Sequence, residues 1–145
     1  MFALTLDKRL VLTMDASRII SRVQAQGNKV RWQDDKKTWG DVERWAYPKQ
    51  VGRTLFEDCD GISLHKAHLL LEAGIPGEAI MMTICRMPDG QGHAVLTVAT
   101  EKGDLILCNN HALVTTPANM KHEGYRFLYR QRPGKGINEP WDVLA

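Results

Sequence analysis

A chain of 145 residues, 43% hydrophobic and 25% charged, is long enough to bury one core and short for two, so a single domain over residues 1–145 is expected. Nineteen Lys and Arg against seventeen Asp and Glu leave a net charge of +2, with no basic block and no aromatic–basic ladder, which excludes an electrostatic nucleic-acid footprint. The start "MFALTLDKRLVL" is not a basic segment leading into a long apolar core, no run reaches the roughly 18 apolar residues of a membrane helix, and the three cysteines, an odd count, suit a reducing compartment; a cytoplasmic location with no membrane span is expected.

Along the chain, Asp15 is a candidate cap for a helix with Ile19, Ile20 and Val23 on one face, closing at a left-handed Gly27. Residues 28–55 are aperiodic and carry Trp32, Trp39 and Trp45, expected to wrap the core and wall a cleft, with one tryptophan lining an acyl pocket. A second helix follows, capped by Asp58 or Asp60, with Ile62, Leu69 and Ala73 on one stripe, Leu64 and Leu71 beside it, and "AGIPG" as its stop. From Ile80 the period changes to two. "IMMTIC", "HAVLTVAT" and "LILC", separated by the turns "MPDGQG" and "EKGD", predict a three-strand antiparallel meander. "YRFLYR" predicts another strand with Tyr125, Phe127 and Tyr129 on one face, and the tail a covering segment anchored by Trp141. The class is α+β, a helix packed on an antiparallel sheet.

Within that layout Cys59 falls at the predicted helix start, where unpaired N–H groups and the helix dipole would stabilise a thiolate. His93 opens the second strand, where it could accept the thiol proton if a group on the third strand fixed its tautomer. Each of these residues also has a plainer reading. Cys59 could be an inert buried thiol, His93 a structural histidine, Asp58 and Asp60 helix caps, and Cys85 and Cys108 core residues. His65 and His68 lie three apart on the helix with no third ligand in register and are expected at the surface or cleft edge.

"EDCDGISLHKAHLLLEAGIP" followed by "GHAVLTVATEKGDLILCNN" resembles the bacterial transglutaminase-like cysteine proteinases, and "VRWQDDKKTWGDVERWAYPKQVGRTL" is similar to that family's approach to its cysteine, so the resemblance covers about residues 20–115. It implies a papain-like or transglutaminase-like core, a peptide or protein substrate, Cys59 as nucleophile and His93 as base, with Lys66, Gly74, Ile75 and Pro76 at scaffold positions. Two departures stand out. The family's L-D-N reads Leu107-Cys108-Asn109 here, so Cys108 takes the place of the triad acid, and Asn109 could serve only if the strand end turned it inward. D-C-E-D reads Asp58-Cys59-Asp60-Gly61, which keeps two of the acidic residues that bind Ca²⁺ in one branch of the family and loses the next.

Three functions follow as expectations. The first is a cysteine peptidase or amidase with a degenerate third member, a helix-start oxyanion hole and no required cofactor. The second is a weak or inactive relative that binds a peptide or protein partner. The third gathers Cys59, His93 and Cys108 as a partial zinc site or redox pair.

Overall fold

The computed structural model describes residues 2–29, 53–133 and 141–144, and within 53–60 the backbone only. Trp32, Trp39 and Trp45 lie outside the described residues, as do the side chains of Asp58, Cys59 and Asp60.

Helix α1 spans Met14–Gly27. Its cap is Thr13, whose Oγ1 accepts from Ala16 N at 3.1 Å, so Asp15 sits inside the first turn, where a carboxylate suits the positive end of the dipole. Gly27 remains helical and Asn28, also right-handed, is the C-cap, in place of the predicted left-handed stop. Helix α2 spans Arg53–Glu72. It begins more than a turn earlier than the sequence suggests, because Arg53–Glu57 contains no glycine or proline to stop it. Its buried stripe runs Ile62, Lys66, Leu70, with Ser63 alongside, while Leu71 is 51% exposed. The predicted stop is present: Gly74 takes φ +97°, Ile75 N donates to Leu70 O and Gly74 N to Leu71 O, both at 3.0 Å.

After a 3₁₀ turn at Gly77–Ala79 come β1 (Ile80–Arg86), β2 (Gly92–Thr100) and β3 (Gly103–Leu107), then helix α3 (Pro117–His122), β4 (Arg126–Arg130) and β5 (Asp142–Val143). The strands pair antiparallel in the order β3-β2-β1-β4-β5. One sheet face, Met82, Ile84, Ala94, Leu96, Val98 and Leu107, packs with Ile20, Val23 and Leu70 of the two long helices. The other face gathers Cys85, Val95, Ile106, Cys108 and Phe127 beneath Met120 of α3. Both faces being covered explains why β2 is buried along almost its whole length.

Strand β4 departs from simple alternation. Phe127 pairs with Cys85 but Tyr129 pairs with Ile84, so the register slips by one residue at Leu128. Neighbouring residues of β1 face opposite ways, so Phe127 and Tyr129 do not share the predicted face; Phe127 is buried and Tyr129 is 42% exposed. Trp141 packs against the helix-side core; residues 134–140 of the expected covering segment lie outside the described residues. No helix among the described residues is long and apolar enough to cross a membrane.

Candidate active site

His93 is the second residue of β2, directly opposite Cys85, and is buried. Its Nε2 lies 3.3 Å from Sγ of Cys108, the residue that follows β3. The thiol sulfur also accepts from the backbone N–H of Asn110 at 3.4 Å. Burial, with help from the nearby His111 and Lys66 charges, lowers the His93 pKa to about 4. Burial pushes the Cys108 thiol up to about 11, against the opposing pull of the Asn110 N–H and the Lys66 ammonium. Near neutral pH the pair is therefore an uncharged imidazole beside an uncharged thiol.

The thiol has a chemical consequence that a carboxylate would not. A carboxylate only accepts, and so forces the proton onto the facing ring nitrogen; a thiol can accept weakly or donate its S–H. If Sγ–H donates to Nε2, the ring proton moves to Nδ1 and blocks the nitrogen a nucleophile would need as its base. The side chain on His93 Nε2 is that of Cys108; Asn109 Oδ1 is buried with no hydrogen-bond partner among the described residues.

Position 59 is the seventh residue of α2. Ser63, one turn further along the same helix face, reaches the carbonyl of Ala94 with its hydroxyl at 3.4 Å, so this face of the helix meets the start of β2 beside His93. The earlier helix start corrects two expectations. Residue 59 lies past the first four residues of the described helix, and it is a helix's first four amides that lack intrahelical partners, so position 59 is not in the first turn where helix-end donors were expected to act. Asp58 and Asp60 are likewise interior residues, not caps. The expected calcium role of Asp58 and Asp60 falls on side chains outside the described residues; calcium usually takes six to eight oxygens, of which the pair would be only a part.

Of the remaining candidates, His68 is exposed and pairs with Glu72 at 2.6 Å, and His65 is half-buried. Among the described residues no three His, Cys, Asp or Glu stand together as a metal site. Several neighbours of the pair were not assigned to the site from the sequence. The Tyr125 ring lies 6.2 Å from that of His93 and 5.7 Å from that of His111, and His111 bonds Glu123 at 2.6 Å. Lys66 is wholly buried, and burial lowers its pKa to about 8. The family resemblance marked Lys66 as a scaffold position, and its place at four residues from both Ile62 and Leu70 is the local signal of its burial.

The family model of the bacterial transglutaminase-like cysteine proteinases (BTLCP) matches residues 4–142. The chain belongs to that family. Its members are cysteine proteinases, and peptide or protein substrates come with that class. LapG of Legionella pneumophila, in EGTA-treated form, is similar in structure with a TM-score of 0.60 at 13% identity, over 89% of this chain and 67% of that one. The calcium-bound form gives 0.59 at 17% identity, over 86% and 74%. These likenesses identify the fold as that of a transglutaminase-like cysteine protease, the α+β class expected from the sequence. No curated protein sequence matches the chain.

Proposed function

We propose that this family member is a cysteine peptidase or amidase in which Cys59 is the nucleophile, His93 the base and Cys108 the third member, within one domain over residues 1–145. The observation that carries the reading is the contact of His93 Nε2 with Cys108 Sγ, at the position where the family pattern has its acid. That contact leaves Nδ1 as the ring nitrogen for the nucleophile. The Cys59 proton passes to Nδ1 and the sulfur attacks the substrate carbonyl. The imidazolium then protonates the departing amine, and water, deprotonated by the same nitrogen, cleaves the thioester to restore the thiol. Calcium, with which the Legionella protein has been solved, has no role in these proton transfers, and the reaction is proposed to run without it.

The test is mass-mapped alkylation with limiting iodoacetamide across pH. Cys59 should be modified first, and His93→Ala should slow it. Cys85 and Cys108 are buried and should lag. First labelling at either of those two would remove the nucleophile assignment.

A second reading, a weak or inactive module that holds a peptide or protein partner, draws on the same thiol: Cys108 supplies no negative charge to stabilise an imidazolium. Cys59 no more reactive than a free cysteine would favour it.

A further inference from the structure

We infer that Lys66 is a positioning residue for the His93–Cys108 pair, acting through Gln24 and Asn28 on the loop that carries Cys108; this rests on the proposed role of His93. The Lys66 ammonium donates to Gln24 Oε1 at 2.8 Å and to Asn28 Oδ1 at 2.7 Å. An ammonium has donors and no acceptor, so both amides must turn their oxygens toward it and their NH₂ groups away. Those groups meet the loop after β3. Gln24 Nε2 donates to the carbonyls of Cys108 at 2.9 Å, His111 at 2.8 Å and Leu113 at 3.4 Å, and Asn28 Nδ2 donates to His111 O at 2.8 Å. A buried cation on α2 thus sets the polarity of two α1 side chains, and they hold the backbone of residues 108–113.

Two features mark this as more than core filling. A leucine in the Ile62–Leu70 stripe would bury without the desolvation cost of a lysine and could not orient either amide. Room for the lysine comes from Gly27, where an added Cβ would stand 2.4 Å from Lys66 Cγ. Cys108, at one end of the held loop, is the residue against His93 Nε2, so freeing the loop frees the ring's partner.

The experiment uses the full chain with ¹⁵N-labelled histidine and reads the His93 ring nitrogens by NMR, alongside the iodoacetamide rate of Cys59. Gln24→Glu keeps an acceptor for Lys66 and removes the donors to the loop; Lys66→Met removes the cation. Both should shift the His93 ring signals toward a different tautomer balance and slow Cys59 alkylation by about tenfold to a hundredfold. Folded variants with parental His93 signals would overturn the inference. Should Lys66→Met fail to fold, Gln24→Glu decides alone. An unreactive Cys59 in the parent would count against the peptidase reading, while the ring signals would still decide the role of Lys66.

Discussion

His93 is held neutral by its surroundings, and the sulfur of Cys108 leaves open which ring nitrogen carries the proton. The first property is measurable through folding. The native pKa of about 4 lies below the ordinary 6.5, so between those values the unfolded chain binds a proton that the folded chain refuses. The contribution is fully present above pH 6.5 and declines as pH falls toward 4, by about 3 kcal/mol in all. Urea denaturation at intervals from pH 7 to pH 4 should show His93→Gln losing less stability than the parent; parallel curves would mean that the ring is not buried as described. Under the proposed function, the second property makes a thiol in place of the family's acid a matter of mechanism more than of packing. Cys108 is wholly buried among apolar neighbours, where sulfur is at ease, yet it is an indifferent guide for a base.

At the scale of elements, the contact between α1 and α2 is set by a lysine passing a glycine. Gly27→Ala should add about 1 kcal/mol of helix propensity and lose about 1–3 kcal/mol to overpacking against the Lys66 stem, for a net loss or at best no gain. A clear rise in melting temperature would show that α1 can move aside freely. Calcium is also expected to bind weakly, since Asp58 and Asp60 offer two carboxylates, with Gly61 beside them, where the ion usually takes six to eight oxygens. Titration calorimetry that finds tight binding unaffected by Asp58→Asn and Asp60→Asn would require a site elsewhere. What the sequence reveals and conceals follows from the range of each signal. The two-residue period located β1 to β3 because alternation is local, whereas the slip at Leu128 is invisible to it, because a bulge changes pairing without changing composition. The start of α2 was placed late because an acidic pair resembles a cap when no breaker precedes it.

For the molecule as a whole, the fold could be read from periodicity and family pattern, and the site only in part. Cys108 could be placed at the third position by its motif, since that motif is contiguous. The Lys66–Gln24 contact joins residues 42 apart, and a lysine is ordinarily a surface residue, so nothing in either local pattern suggests it. The same buried ammonium bears on the central claim. A carboxylate at position 108 would enter a site where Lys66 already exerts a positive charge, so Cys108→Asp should be accommodated. The direct measurement is the rate of Cys59 modification by an activity-based thiol probe in the parent, Cys59→Ala, Asn109→Ala and Cys108→Asp, which requires no knowledge of the natural substrate. If Cys59, His93 and Cys108 act as proposed, Cys59→Ala abolishes labelling, Asn109→Ala changes it little, and Cys108→Asp raises it, by up to about 10⁴-fold, the loss seen when a triad carboxylate is neutralised. Labelling that survives Cys59→Ala, or that is unmoved by Cys108→Asp and lost in Asn109→Ala, would contradict the assignment.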